Sequence, residues 1–388
     1  MREEYHCELC ALFLPTNPCS PVFIRGYFSG MKPLLLLLVA LVPWLEVLAA
    51  ETAGPVLVVR DAAQLRAALG ALKPGTTLRI GPGEYPGGQS VREVERLTVE
   101  ALDAKNPPHF KGGAGAWHFS RCDGLTVRHL RVSGQRANGL NLDDGGQLAK
   151  PVRGVTLEGV EVSDIGAQGN HDAIKVSGLI GLTVRDCVIT GWGGQGIDLV
   201  GCHQTLITGC RFTGKPGFSA SAGVQIKGGS SDVTVEKCRF LKAGERAVNI
   251  GGSTGLAFFR PQGAKHEATR VVVRDCVIEG SLCAAAFVGV DGAEFTGNTV
   301  FFPERWVFRI LQETRGENFV PSRNGLVKGN RIVFRTAQMR EVVNVGGGTA
   351  PETFRFEGNQ WFAEDRPAAS KPRLPVAEKD GVYGRDPR

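Results

Sequence analysis

Aromatic residues are scarce in this sequence, and charge of neither sign dominates it. Only 7% of its 388 residues are aromatic, and 45 Lys and Arg against 39 Asp and Glu leave a formal net charge of +6. So small a charge, with basic residues spread along the chain, argues against a nucleic-acid partner. The 52 glycines follow no three-residue period, which excludes collagen, and 42% hydrophobic residues are enough for a full core, which excludes intrinsic disorder.

The strongly apolar run near the amino terminus is too short for a comfortable membrane span. It begins at Met31, reads MKPLLLLLVALVPWLEVLAA, and ends in small residues near Ala49 and Ala50. One Lys, an apolar stretch and a small-residue cleavage region are typical of a secretory signal peptide. We therefore predict a signal peptide over residues 31–50, preceded by an extension, residues 1–30, that lies before the true translation start. The mature protein is then secreted or periplasmic, with no stable membrane span.

Two kinds of short segment recur along the rest of the chain. In the first kind, apolar and polar residues alternate: GLNLDD (139–144), AIKVSG (173–178), GIDLVG (196–201), GVQIKG (223–228), AVNIGG (247–252), VFRILQ (307–312) and VVNVGG (342–347). The second kind follows a few residues later and carries Cys or Asn at one fixed place: Cys187, Cys210, Cys238, Cys276, Asn298, Asn330 and Asn359. Repeats of about 22 to 38 residues cannot each bury a core and must stack on their neighbours.

The column of Cys and Asn resembles the asparagine ladder inside right-handed parallel β-helix proteins of the pectate-lyase-like superfamily. The resemblance covers about residues 55–363. It implies an all-β, right-handed single-stranded parallel β-helix in which Cys replaces Asn in the middle of an internal ladder. We expect these cysteines to pack as buried free thiols. Cys202 and Cys283 lie outside the column, and the sequence does not pair them.

The two ends of the repeat region have their own patterns. Residues 61–75, DAAQLRAALGALKPG, predict a short capping helix with Asp61 as its N-cap and Pro74–Gly75 as its stop. Residues 51–363 then form the β-helix domain. Residues 364–388 are proline-rich and charged, and we expect a tail that lies along the solenoid or caps its last coil.

Alternation within the first segments predicts which side chains face outward. The second and fourth positions are apolar and fill the core, so the third and fifth point away from it. The third positions are Asn141, Lys175, Asp198, Gln225, Asn249, Arg309 and Asn344, with Val288 as an apolar exception if AFVGVD (286–291) is the missing repeat; Asp143 and Lys227 are fifth positions. A solvated face is the ordinary interpretation. Amides around a Lys and Asp cluster also suit hydroxyl-rich ligands, and the family resemblance implies that polysaccharide, acidic or neutral, lies along this face.

Two insertions after first-kind segments are candidates for the walls of such a groove. They span residues 253–267 and 313–323. Aromatic rings for sugars and cations for carboxylates or sulfates are offered by Phe258, Phe259, Arg260, Arg305, Trp306 and Arg309. Each ring could instead cover the open edge of a turn.

An acidic polysaccharide would allow β-elimination, which needs a base and positive charge. Lys227 and Lys175 are the candidate bases, with Arg246, Arg305 and Arg309 as charge neutralisers. Residues 223–240 resemble the strand that carries a catalytic Lys in alginate and chondroitin lyases, and Lys227 matches that Lys.

This resemblance to the lyases is incomplete. Gly251 stands where those lyases have an Arg one coil later, and Gln225 and Gly223 replace the acidic calcium ligands. No metal site is therefore predicted; Ca²⁺ stays an open alternative without a clear ligand set.

Hydrolysis is the second enzymatic hypothesis. It needs two carboxyl groups, and the clustered acids are Asp143, Asp172 and Asp198. Asp143 and Asp198 lie two coils apart, roughly 9.5 to 11 Å from strand spacing. An ion pair of Asp198 with Lys175 and Lys227 is the simpler interpretation of the same residues. A non-catalytic carbohydrate-binding or cell-surface β-helix is the alternative to both enzymes.

Overall fold

The computed structural model describes residues 54–388, which wind into a solenoid of three parallel β-sheets. Each coil contributes one strand to sheet 1, the next to sheet 2 and the third to sheet 3, before the chain returns to sheet 1 one coil further on. All strand pairs are parallel and join coils adjacent in sequence. The all-β parallel solenoid predicted from the repeats is confirmed. The predicted signal peptide and upstream extension lie outside the described residues.

The strands are short, as expected for repeats separated by tight turns. Sheet 1 consists of Gln89–Arg92, Trp117–Ser120, Leu140–Asp143, Ile174–Ser177, Gln195–Val200, Ala222–Lys227, Arg246–Gly251, Cys283–Val288, Trp306–Leu311 and Val343–Val345. Sheet 2 consists of Val56–Val59, Thr77–Ile80, Thr98–Ala101, Thr126–Arg128, Val152–Arg153, Thr156–Glu158, Leu179–Ile180, Thr183–Arg185, His203–Thr208, Ser230–Glu236, Ala268–Arg274, Val290–Thr296, Arg323–Lys328 and Arg355–Glu357. Sheet 3 consists of Glu84–Pro86, His109–Lys111, Arg131–Ser133, Glu161–Ile165, Val188–Trp192, Arg211–Thr213, Arg239–Leu241, Val277–Glu279, Thr299–Phe301, Arg331–Phe334, Gln360–Ala363 and Val382–Tyr383.

One α-helix, Ala62–Leu69, follows the first strand. The side chain of Asp61 accepts a hydrogen bond from the backbone N–H of Gln64 at 2.8 Å, so it is the predicted N-cap. The helix ends before the expected Pro74–Gly75 stop, because Gly70, a poor helix former, already follows Leu69. Single 3₁₀ turns occur at Leu256–Phe258, Thr336–Gln338, Pro351–Thr353 and Pro367–Ala369. Among the described residues, no helix has the length and apolar character to cross a membrane.

The inside of the coil is a continuous apolar core. The second and fourth positions of sheet 1 point into it, and Ile197, Leu199, Val224 and Ile226 are fully buried. Because each of these residues packs on its equivalent one coil away, the alternation read from the sequence sets the register of the whole sheet.

An internal column between sheets 2 and 3 changes from cysteine to asparagine along the molecule. Cys187, Cys210, Cys238 and Cys276 are buried free thiols. The Nδ2 amide of Asn298 donates to the carbonyl of Val273 at 2.9 Å, and its Oδ1 accepts the N–H of Cys276 at 2.9 Å. Asn330 and Asn359 repeat this pattern. Cys202 and Cys283 are also free, and burial raises the pKa of each to about 12.

Residues 364–388 close the last coil. Glu378 accepts the side-chain amide of Asn359 at 2.6 Å, where a further ladder asparagine would otherwise lie. Its second oxygen accepts the indole N–H of Trp361 at 2.9 Å and the hydroxyl of Tyr383 at 2.8 Å. The strand Val382–Tyr383 adds to the edge of sheet 3. Of the two arrangements expected for this segment, the structure has the cap.

Candidate functional site

The outer face of sheet 1 carries one column of side chains, one from each coil, and all of them except Ala286 are polar. Strand register sets these residues side by side: Ser90, His118, Asn141, Lys175, Asp198, Gln225, Asn249, Ala286, Arg309 and Asn344. We call this the outer column. Val288 was expected in it, and that expectation is wrong: the strand begins at Cys283, so Ala286 pairs with Asn249 and Val288 with Gly251. Ala286 and Val288 are both fully buried beneath neighbouring side chains.

The centre of the outer column is a cluster of four charged residues, Asp172, Lys175, Asp198 and Lys227, named here the charge cluster. Asp198 is 0% exposed, and one of its oxygens accepts a hydrogen bond from Lys175. Lys227 approaches the other oxygen at 3.3 Å without forming a hydrogen bond. Lys175 also lies 3.2 Å from Asp172, whose second oxygen accepts the N–H of Gln195 at 2.9 Å.

Burial and charge shift the pKa values in this cluster in defined directions. Burial by itself lowers the pKa of Lys175, but Asp198 and Asp172 outweigh it and raise that pKa overall. Lys175 is thus held protonated. Burial, followed by the charge of Asp198, raises the pKa of Asp172 to about 6.

Asp198 does not offer its carboxylate to a ligand. It lies under the two ammonium groups, of which Lys175 is 24% and Lys227 12% exposed at the side chain. The hydrolytic role expected for Asp198 is therefore not compatible with this arrangement, and the ion-pair interpretation is the one observed. Its proposed partner Asp143 is engaged elsewhere, since it lies 2.6 Å from Nε2 of His118. Although burial raises the pKa of Asp143, the hydrogen bond from His118 and others lower it overall.

The residues on either side of the cluster are largely held by protein partners. Gln225 is 7% and Asn249 3% exposed. Arg246 donates to Asn249 at 3.1 Å and to Glu313 at 2.7 Å, which fastens the second insertion to sheet 1. Arg246 is therefore not a free charge neutraliser. On the other side, Asn141 is partly exposed and accepts a hydrogen bond from Asn138 at 3.1 Å.

The two insertions pack against each other beside the carboxyl ends of the sheet 1 strands. Phe259 is 1% exposed and packs edge-on against Phe319, with ring centroids 6.0 Å apart. Arg260 is buried and forms a two-pronged ion pair with Asp144, at 2.6 and 2.9 Å. The sequence assigned Phe259 and Arg260 to ligand binding; both instead fix the loop to the solenoid. Phe258 is the exposed ring, at 63%.

Arg305 and Arg309 lie further along the outer column. Their guanidinium carbons are each 4.2 Å from the ring centroid of Trp306. The indole is therefore a stacking partner for two cations, and these arginines remain available to a ligand.

Three residues near this face were missed in the sequence. His118 lies in WHFS, whose alternation marks it as a sheet 1 strand one coil before GLNLDD. Glu313 and Arg340 are in loops, where no periodicity indicates a partner. Within residues 54–388, no three His, Cys, Asp or Glu side chains are arranged to hold a metal ion.

Comparisons with known proteins agree with the fold. The family model described as the right handed beta helix region matches residues 115–301. The chain is a right-handed parallel β-helix protein with the pectin lyase fold. No curated protein matches this β-helix protein in sequence.

Several solved structures share its fold. An alginate lyase from Paenibacillus sp. str. FPU-7 is 19% identical, with a TM-score of 0.51 over 76% of this chain and 99% of that one. The pectate lyase Pel9A is 11% identical, with a TM-score of 0.53 over 81% of each chain. The PL6 family alginate lyase AlyGC is also 11% identical, with a TM-score of 0.51 over 83% of this chain and 47% of that one. At these identities the likeness is one of fold.

Proposed function

We propose that this β-helix protein is an exported enzyme that cleaves an acidic polysaccharide by β-elimination on the outer column, with Lys227 as the base. The observation that carries the proposal is the placement of Lys175 and Lys227 on opposite oxygens of the buried Asp198. A uronate lying over this point meets two cations whose positions are fixed from beneath.

The two lysines suit different roles. Lys175 is hydrogen-bonded to one carboxylate and close to a second, so it stays charged and neutralises the uronate carboxylate as negative charge develops there. Lys227 has a single, longer contact with Asp198, at 3.3 Å and without a hydrogen bond, so its amine is the one left available to take a proton from the substrate.

In the elimination, Nζ of Lys227 takes the proton from C5 of the uronate. The electron pair of that C–H bond forms the C4–C5 double bond, and the bond from C4 to the glycosidic oxygen breaks. The leaving oxygen takes up a proton, which the newly formed Lys227 ammonium can return. No oxidant, reductant or cofactor is needed for this balance.

The similarity to two alginate lyases and a pectate lyase supports the proposal at the level of fold. The leader-like residues 31–50 support export.

The test is the ultraviolet absorbance of unsaturated uronates after incubation with alginate, polygalacturonate and chondroitin. Lys227→Arg keeps a cation beside Asp198 but removes a usable base, so we expect a loss of at least about 100-fold in kcat. Lys328→Ala, which removes an exposed lysine from sheet 2, is the matched control and should retain activity. A Lys227→Arg variant as active as the control would contradict the role of Lys227.

A non-catalytic carbohydrate-binding protein is the second candidate. It is supported by the ion pairing of both lysines with Asp198, which suits binding by fixed charge as well as catalysis. In that case no absorbance and no new reducing ends appear on any of the polysaccharides, and Lys227→Arg binds them as the wild type does.

A further inference from the structure

An open cavity of about 930 Å³ lies at the far end of the outer column, beyond the buried Ala286. The strand Trp306–Leu311 forms one side of it. Residues 338–341, in the connection to the last sheet 1 strand, and Asn344 of that strand form the other. The cavity is separate from the charge cluster, which belongs to coils several repeats earlier. We call it the arginine cavity, because it is lined by Arg305, Trp306, Arg309, Arg340 and Asn344.

Two of the three guanidinium groups in this cavity, those of Arg305 and Arg309, are held in place by the protein. The guanidinium carbons of Arg305 and Arg309 each lie 4.2 Å from the ring centroid of Trp306. A guanidinium that stacks on an aromatic ring keeps its N–H edges available to a ligand. The Nε of Arg309 also donates to Oδ1 of Asn344 at 3.0 Å. Groups fixed in this way lose little conformational freedom when a ligand binds.

The arginines of the cavity have no ion-pair partner in residues 54–388. In the part of the chain that the structure describes, Arg305, Arg309 and Arg340 form no ion pair with a carboxylate, although Glu304 and Glu341 also line the cavity. The carboxylate of Glu341 accepts a hydrogen bond from Asn344 at 2.7 Å. The arginines of sheet 2 differ, since Arg128 and Arg274 each have a glutamate partner.

Arg309 is also electrostatically strained by its surroundings. Burial, followed by the charge of Arg246, lowers the pKa of its guanidinium. An anion entering the cavity would relieve this repulsion and gain charge-assisted hydrogen bonds.

We propose that the arginine cavity binds the anionic substituent of a sugar residue, a carboxylate or a sulfate ester, through the N–H edges of Arg305, Arg309 and Arg340. The inference rests on the proposed function in placing an acidic polysaccharide on the outer column. It adds a subsite that holds the polymer by charge, at a distance from the site of elimination.

The experiment is calorimetric titration of the Lys227→Arg protein, which binds without cleaving. The probes are a trigalacturonate, its methyl ester, an alginate trisaccharide and a sulfated carrageenan oligosaccharide. The ester keeps the shape of trigalacturonate without its charge, and the last two probes distinguish carboxylate from sulfate. The variants Arg309→Gln and Arg340→Gln are compared with Arg239→Gln, an exposed arginine of sheet 3.

We expect at least one acidic probe to bind at least 10-fold more weakly to Arg309→Gln and to Arg340→Gln, with no change for Arg239→Gln. The methyl ester should bind weakly to the parent and to every variant. Added salt should weaken the binding of the acidic probes less in Arg309→Gln and Arg340→Gln than in the parent. Equal binding of acid and ester, equal binding by parent and variants, or binding of none of the four probes would overturn the inference.

The outcome is separable from that of the proposed function. If the wild type produces no unsaturated uronate but the arginine variants lose charge-dependent binding, the anion site in the arginine cavity is supported and the proposed elimination is contradicted. The opposite result is that the wild type cleaves and that Arg309→Gln, in an otherwise wild-type chain, has the same KM and kcat. The anion site in the arginine cavity is then contradicted and the proposed elimination is supported.

Discussion

The charge cluster and the arginine cavity lie on the same face of the same sheet, yet they treat positive charge in opposite ways. In the cluster, Lys175 and Lys227 are matched by the buried Asp198. In the cavity, Arg309 and Arg340 have no carboxylate partner among the described residues. The repeated strand geometry is the same in both places. The difference therefore comes from which residue the neighbouring coil contributes. The charge cluster holds its cations in ion pairs, whereas the arginine cavity leaves its cations available to an anionic ligand.

The largest expected effect on stability comes from removing the carboxylate of Asp198, which Lys175 and Lys227 share. Asp198→Asn leaves two lysines facing each other in a largely buried setting, so we expect the free energy of unfolding to fall by roughly 3 kcal/mol. Chemical denaturation measures it. Asp232→Asn is the control, because it breaks an exposed pair with Arg270 and should cost less than about 1 kcal/mol. Equal losses in the two variants would remove the distinction between a buried cluster and an ordinary surface pair.

The next largest effect is a dependence of stability on pH, which comes from the burial of Asp172 in the charge cluster. The pKa of Asp172 is raised to about 6 in the folded protein, above its ordinary value of 3.8. Between these values the native state keeps a proton that the unfolded chain has released, so this group lowers stability as pH rises from about 4 to 6. Asp172→Asn removes the ionisation, and its stability relative to the wild type should improve over that window by on the order of 2 kcal/mol.

Denaturation of both proteins at several pH values between 4 and 7 checks this sign. In Asp232 the carboxyl pKa is instead lowered, to about 2, mainly by its hydrogen bond with Arg270. The difference between wild type and Asp232→Asn should therefore stay constant over the same window. A constant difference for Asp172→Asn as well would mean that its carboxyl titrates normally.

The smallest effect is expected in the arginine cavity. Arg340→Gln removes an exposed cation that has no ion-pair partner among the described residues, so the free energy of unfolding should change by no more than about 0.5 kcal/mol. Thermal or chemical unfolding with matched protein concentrations measures it. A loss of stability as large as that of Asp198→Asn would show that Arg340 supports the fold. It would contradict the proposed difference between the charge cluster and the arginine cavity.

The sequence predicted the architecture well because the information for it is local. Alternation in segments such as GIDLVG specifies which side chains are buried, and stacking then requires each segment to pair with the next. The Cys and Asn column was visible for the same reason. The misplaced repeat was CAAAFV, where small apolar residues occupy both inner and outer positions and alternation gives no register.

The site was predictable only where strands position it. Lys175, Asp198 and Lys227 were expected to meet because they lie on paired strands, and they do. The burial of Phe259, and the pairing of Arg260 with a residue 116 positions earlier in the chain, depend on how a loop folds back. No sequence periodicity encodes such a contact, so residues on the insertions were assigned to a ligand when their partners are within the protein.

The carboxylate of Glu378 has a consequence for the end of the asparagine ladder. The amide of Asn359 offers its N–H groups in the direction in which another coil would be added, and Glu378 accepts them. Its two oxygens provide no amide donor of their own, so the ladder pattern does not continue past Asn359. Glu378 acts on the ladder as a cap acts on a growing polymer: it accepts the last amide donors and presents no new amide of its own.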